Sequence, residues 1–189
     1  MEKTFNLIIN GVGGQGVITL LSLIDEAALI DGYDVRSSEL HGLSQRGGSV
    51  ETHVRFGPKV NSPLISNGQV DLIISLEMLE ALRETSKMGR QTRFLINEFL
   101  SPFQGSLSID EIKNQFNKIK NELHIIPASA ACKEKLDNEV VSTIYLLGYA
   151  VHKNLIPLKK ESVIKAIENL VPEKYRELNI KAFNLSFND

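Results

Sequence analysis

Six residues, Gly11-Val12-Gly13-Gly14-Gln15-Gly16, place four glycines between an apolar β-branched run and a helical repeat. Phe5-Asn6-Leu7-Ile8-Ile9-Asn10, which precedes them, has the composition of a strand covered on both faces. After them, Val17, Leu20, Leu21, Ile24, Ala27 and Ala28 recur at helical spacing as far as Ile30, and Asp31-Gly32 supplies a stop. Tyr33 to Leu40 reads as a second strand, so the opening forty residues predict a βαβ unit with a right-handed crossover. In such a turn the first glycine permits the reversal, the second lets backbone approach a ligand, and the third allows helix to pack on strand. The helix start offers free N–H groups and a partial positive charge to a phosphate or carboxylate. Three readings stay open for the turn: a purely structural one, an anion or cofactor tail, and NAD. Glu39, near the end of the second strand, favours NAD, whereas the polar loop from His41 to Gly48 crowds the adenosine side.

Beyond that loop, Val50, Thr52, Val54 and Phe56 alternate with Glu51, His53 and Arg55, predicting a half-polar strand, antiparallel or peripheral, with one face toward water or a polar partner. Gly57-Pro58 turns the chain, and Lys59–Ile65 is expected as its hairpin mate, confined to an edge by Pro63. Further strands are expected at Val70–Leu76, Arg93–Asn97 and His124–Pro127. Helices are expected at Glu77–Lys87, behind the Ser108-Ile109-Asp110-Glu111 capping box, at Ala128–Leu136, Asn138–Lys153 and Lys160–Leu170, and from Pro172 to Leu185. Val140, Val141, Ile144, Leu147 and Val151 are expected to line the most buried of these. The expected fold is a single α/β domain over residues 1–189: a Rossmann-like, mostly parallel sheet, helices on both faces, one antiparallel hairpin and a helical C-terminal lobe.

Composition narrows the function classes. With 21 Lys and Arg against 23 Asp and Glu, the chain lacks the basic surplus of a nucleic-acid binder. No apolar run reaches the ~18 residues that a membrane span needs, and the N-terminus lacks a signal-peptide layout, so the expected location is the cytoplasm. One cysteine, Cys132, excludes an internal disulfide, a cysteine-based zinc site and an iron–sulfur cluster made by this chain alone. Its expected role is that of a small buried hydrophobe, and His124 and His152 are expected at the surface or as satisfied core residues.

A second polar cluster, Glu39, His41, Ser44, Gln45 and Arg46, ends in Gly47-Gly48. Because this loop and the glycine turn both leave the carboxyl ends of their strands, they are expected side by side in the ligand crevice of an open sheet. Arg46 offers a planar fork for a carboxylate or phosphate. Farther on, Glu80 and Arg83 can pair along a helix, while Glu77 suits a helix cap.

Together, Gly11-Val12-Gly13-Gly14-Gln15-Gly16-Val17, Ser38-Glu39-Leu40-His41-Gly42-Leu43-Ser44-Gln45-Arg46-Gly47-Gly48 and Leu76-Glu77-Met78-Leu79-Glu80-Ala81-Leu82-Arg83 resemble the gamma-type domain of the 2-oxoacid:ferredoxin oxidoreductases. The resemblance is strongest from residue 5 to about 85 and continues through Asn138–Leu158. His41-Gly42-Leu43, where relatives often carry tyrosine-glycine-proline, is similar to the indolepyruvate (aryl-pyruvate) branch. The resemblance implies a subunit of an enzyme that oxidatively decarboxylates a 2-oxoacid to an acyl-coenzyme A. Thiamine diphosphate, Mg2+ and iron–sulfur clusters would lie in a larger catalytic partner, and ferredoxin would take the electrons. This chain lacks both the glycine-aspartate-glycine motif with its downstream asparagine and the cluster cysteines. The implied role is to dock on that partner and cover its active site with Glu39, His41, Ser44, Gln45, Arg46, Gly47 and Gly48. Coenzyme A would touch the turn (Gly11, Gly13, Gly14, Gln15, Gly16) or Arg46. The competing readings are a free-standing Rossmann-type NAD(P) protein and a homodimeric binding module that uses Val50–Phe56 as its interface.

Overall fold

The computed structural model describes residues 3–41, 47–101 and 107–188. Six strands form one sheet, in the order β2 (Asp34–His41), β3 (Ser49–Gly57), β1 (Phe5–Val12), β4 (Leu72–Ser75), β5 (Arg93–Asn97), β6 (Leu123–Ile126). β1, β4, β5 and β6 are parallel neighbours, and β3 runs antiparallel to both β1 and β2. The expected α/β class and the helices on both faces are therefore present, with two rearrangements on the β3 side.

First, β2 runs in the direction of β1 but not beside it, because β3 is inserted between them. Second, the antiparallel hairpin is β2–β3, not β3 with Lys59–Ile65, which forms no strand. Lys59–Ile65 instead lies over the polar face of β3. The Ile65 N–H donates to His53 Nδ1 at 3.0 Å, and Arg55 donates to the Ser62 carbonyl at 2.9 Å and to Asn6 Oδ1 at 2.9 Å. Glu51 accepts from His53 Nε2 and from Lys87. The polar partner implied by the alternation is thus the chain itself, and a strand flanked on both edges and covered on this face does not serve as a dimer interface.

Around the sheet, α1 (Val17–Ile30), α4 (Ala128–Leu136), α5 (Ser142–His152), α6 (Lys160–Leu170) and α7 (Glu173–Leu185) bury their apolar residues against Leu7, Ile9, Val54, Leu72, Ile74 and Leu95. α2 (Met78–Glu84) and α3 (Ile109–Phe116) cover Ile8, Ile73, Phe94 and Ile96 from the other side. The odd and even positions of β1 and β4 enter opposite cores, as alternation requires of a strand buried on both faces. The capping box forms: Ser108 Oγ accepts from the Glu111 N–H, and Glu111 returns the bond to the Ser108 N–H.

The expected helix from Asn138 starts later. Asn138 Oδ1 accepts the Val140 N–H and opens a short 3-10 turn, Glu139–Val141, before α5. That turn shifts the helical phase, so Val140 is 80% exposed while Val141, Ile144 and Leu147 are buried as expected. Cys132 is buried, with its thiol pushed up by burial to about 11. His124 bonds the Tyr149 hydroxyl and Glu122, and His152 bonds Ser186.

Candidate functional site

The direction in which connections leave the sheet changes between β1 and β4. From β1 the chain goes through α1 to β2, and from β4 it goes through α2 to β5. A crevice opens at the carboxyl ends of strands where connections diverge in this way. Here it is floored by the glycine turn.

Within the turn the glycines have distinct jobs. A Cβ on Gly11 would lie 2.8 Å from Gln15 Oε1 and 3.0 Å from Leu76 Cβ, so Gly11 lets β1 and β4 close on the folded-back Gln15 amide. That amide oxygen accepts the Val12 N–H at 2.8 Å and locks the turn. Gly13 does approach another backbone closely, but its partner is the chain: its N–H donates to the Gly48 carbonyl at 2.8 Å, and its carbonyl accepts the Gly47 N–H at 3.4 Å. The expected adjacency of the two glycine segments is therefore present. Gly14 (φ +103°) and Gly16 (φ +90°) adopt the left-handed backbone that favours glycine. Around a Cβ placed on Gly14 there is nothing within 4 Å, and at Gly16 the nearest group is Thr143 of α5, 3.4 Å away.

Glu39 lies exposed on β2, two strands from β1. A ribose-gripping carboxylate must come from the strand next to the turn, and β3 occupies that place. Strand order thus overturns the NAD reading. His41 ends β2, whereas Ser44, Gln45 and Arg46 lie outside the described residues.

α2 is stitched to the same rim. Glu77 caps it, accepting the Glu80 N–H at 2.8 Å and the Ser101 N–H at 3.1 Å, while burial pushes its carboxyl above the usual range against those bonds. Glu80 pairs with Arg83 as expected, and its carboxylate also accepts Ser49 Oγ at 2.6 Å. Asn10 Nδ2 donates to the Glu80 carbonyl at 2.9 Å.

The open space is on the α1 side. A cavity of about 850 Å³ runs from Gly14 and Gly16 past Leu76 and Asn97 to Val140, Leu170 and Tyr175, and is closed by the C-terminal helices. The N-termini of four helices border it, with Gly16 and Thr19 of α1, Ser129 of α4, Ser142 and Thr143 of α5, and Pro172 before α7 in its wall. Only α1 begins with neither a side-chain cap nor a first-turn acid: the Ser129 N–H of α4 is taken by Asn97 Oδ1, and α5 continues the Glu139–Val141 turn capped by Asn138. An open end of that kind stabilises an anion by ~0.3–1 kcal/mol when exposed, and up to ~2 when partly buried. Asn97 ties the floor together: its Nδ2 donates to Ser129 Oγ at 2.8 Å and to the Leu76 carbonyl at 3.3 Å, and its Oδ1 accepts the Ser129 N–H at 3.1 Å. Sequence reasoning placed the crevice but missed Asn97, Thr143 and Tyr175, which reach it from later elements. The available signal was Asn138, a helix-capping residue type whose side chain opens the turn that runs into α5.

Among the described residues, no group of His, Cys, Asp and Glu is placed to hold a metal ion, and no helix is long and apolar enough to cross a membrane. The family model described as pyruvate ferredoxin/flavodoxin oxidoreductase matches residues 6–188. The Indolepyruvate oxidoreductase subunit IorB of Pyrococcus horikoshii is 35% identical over 190 residues, which cover 97% of this chain and 94% of that one. Among solved structures, the keto/oxoacid ferredoxin oxidoreductase gamma subunit from Geobacter sulfurreducens superposes with a TM-score of 0.73 at 24% identity, covering 97% of this chain and 96% of that one. The 2-oxoglutarate:ferredoxin oxidoreductase from Magnetococcus marinus gives a TM-score of 0.74 at 19% identity, covering 98% of this chain but only 31% of the other.

Proposed function

Because the chain belongs to the pyruvate ferredoxin/flavodoxin oxidoreductase family, we propose that it is the small subunit of an enzyme that oxidatively decarboxylates an aryl 2-oxoacid. Indolepyruvate is the first candidate, with an acyl-coenzyme A as product and ferredoxin as electron acceptor. The observation that carries this reading is the match to an indolepyruvate oxidoreductase subunit across nearly all of both chains. A shielding role is supported by chemistry this chain does not fit. Its single cysteine is buried with a raised pKa, so it is no thiolate ligand for a cluster. Thiamine diphosphate, Mg2+ and iron–sulfur clusters are accordingly assigned to a larger catalytic subunit in the cytoplasm. The present chain docks on that subunit as one domain.

The docking surface is the rim where Gly47-Gly48 meets Gly13, together with Glu39, His41, Ser44, Gln45 and Arg46. The guanidinium of Arg46 suits the phosphates of coenzyme A. In the turn, Gly11, Gly13 and Gln15 are committed to internal contacts, which leaves Gly14 and Gly16 for a ligand.

Co-expression with the larger subunit tests the proposal, with indolepyruvate-dependent dye reduction as readout. The complex should turn over and the isolated chain should not. Arg46→Ala should keep its thermal midpoint while losing assembly or raising the KM for coenzyme A; unchanged assembly and kinetics remove Arg46 from the account. Turnover, thiamine diphosphate binding or NADH fluorescence enhancement by the isolated chain would overturn the division of labour.

A further inference from the structure

We propose that the open edge of β2, together with the face of α1 beside it, pairs with the same surface of a second copy of this chain across a two-fold axis. The inference goes beyond the subunit reading, since it concerns a surface outside the crevice and needs no other protein. β2 closes one side of the sheet and is bonded to β3 alone among the described residues. Sheets guard such edges with short strands, prolines or unpaired lysines. The opposite edge, β6, is four residues long, whereas β2 has eight with no proline or lysine, and its Arg36 is paired with Asp34 at 2.8 Å. Beside this edge, Ile18, Ser22, Asp25 and Leu29 recur at spacings of four, three and four residues and form one stripe of α1. The stripe faces β2, because Asp25 Oδ2 accepts from Ser37 Oγ at 2.6 Å. Ile18 and Leu29 are 39% and 56% exposed.

This surface is complementary to itself. A two-fold axis that continues the sheet keeps each face on its own side, so an antiparallel β2 pair must match odd residues with odd and even with even. Centred on Ser37, the pair sets Ser37 opposite Ser37 and Val35 opposite Glu39. The midpoint of the α1 stripe falls between Leu23 and Ile24, ~2 Å along the helix from Asp25 and so close to the level of Ser37. One axis therefore serves both elements. It places Ile18 against Leu29 of the second copy at either end and Ser22 against Asp25 in the middle, so within the stripe apolar meets apolar and like charges stay apart. α1 packs over β2 and β3. With strands ~4.8 Å apart, the two helices come to roughly 10–14 Å, near the ~8–10 Å of packed helices. The footprint, ~27 Å along the strand by ~18 Å from sheet to helix, is ~500 Å² per copy. A total of ~1,000 Å² sits at the low end of specific interfaces, so dissociation is expected in the micromolar range. Because the paired strands run oppositely, the two crevices open at opposite ends of the joined sheet.

Sedimentation equilibrium of the full-length chain, from about 1 to about 300 µM, tests the pairing. The expected result is a monomer–dimer equilibrium in the micromolar range. Leu29→Glu and Ile18→Lys change exposed helix positions and should keep the parent's thermal midpoint, while each alone weakens association by about tenfold or more. Mixing the two variants should restore association to within about tenfold of the parent, since the axis sets the introduced charges opposite each other. Ser37→Cys should give a disulfide-linked dimer under mild oxidation, Cys132 being buried. Glu26→Cys, on the side of α1 that bonds Asn169 of α6, should not. A chain that stays monomeric over the whole range, a dimer that Leu29→Glu leaves unchanged, no rescue on mixing, or no crosslink through Ser37→Cys would each overturn the proposal. A monomer whose Leu29→Glu variant is lost from a complex with the larger subunit would also overturn it, and would assign the edge to that subunit.

Discussion

Gly148 lies in the middle of α5, where a Cβ would come within 2.2 Å of the Phe183 carbonyl oxygen and 2.6 Å of Ser186 Oγ. Gly148→Ala sets two effects against each other. Alanine is the better helix former by ~1 kcal/mol. A carbon–oxygen contact, however, settles above ~3 Å, so the last turn of α7 would have to retreat by roughly 1 Å. Overpacking of this kind costs ~1–3 kcal/mol, and the obstacle is helix backbone rather than a side-chain tip, which favours the upper half of that range. The net expectation is a loss of ~1–2 kcal/mol. At ~2–4 °C per kcal/mol for a chain of this length, the thermal midpoint should fall by about 2–8 °C. Thermal unfolding followed by circular dichroism at pH 7 reads the loss. A midpoint equal to or above that of the parent would show that α5 and α7 are not in backbone contact.

Two other perturbations follow from the bonding pattern. Asn97→Ala strands the Ser129 N–H and loosens the start of α4, for a cost of ~1–3 kcal/mol, visible as a lower urea midpoint with unchanged slope. The pH dependence has two windows on the acid side. Burial pushes Glu51 up, but the bonds from His53 and Lys87 outweigh it and hold the carboxyl at about 2, below its ordinary 4.5. Its contribution is therefore present above pH 4.5 and lost as pH falls toward 2. Burial, aided by the nearby charge of Lys160, lowers His152 from 6.5 to about 4, so stability also declines as pH falls through that interval. Glu51→Gln should flatten the lower limb of a midpoint-against-pH curve, and His152→Gln the upper one; coincident curves for parent and variants would refute both assignments.

The parallel half of the fold was legible because its signals are local. The runs 5–10, 70–76 and 93–97 are apolar on both faces, the glycine turn sits between strand and helix, and the capping box marks α3 by its own spacing. In the antiparallel half the direction of β3 was legible but its neighbours were not, because strand order is set by pairing between distant residues. The alternation at Glu51, His53 and Arg55 announces a polar partner without saying which one, and that partner turned out to be Lys59–Ile65, Asn6 and Lys87. Val140 was misplaced for a different reason: one residue of 3-10 phase turned an apparently core-facing valine outward. As for the site, its floor was readable from the glycines, but its roof comes from α5 and α7, more than a hundred positions later, where Thr143 and Tyr175 carry no motif.

A single strand running against its neighbours has a mechanical consequence. β3 is hydrogen-bonded along its length to β1 on one side and β2 on the other, and its first residues begin beside Gly13. His41 and Gly47, the described residues nearest this end of the hairpin, are thus tied into the sheet, one by its pairing with Val50 and the other by its bond to Gly13. A load applied to Gly47 from outside would reach Gly13 through one hydrogen-bonded step, and from there the residues that floor the crevice. Displacement at the rim and the shape of the hollow behind it would then move as one lever.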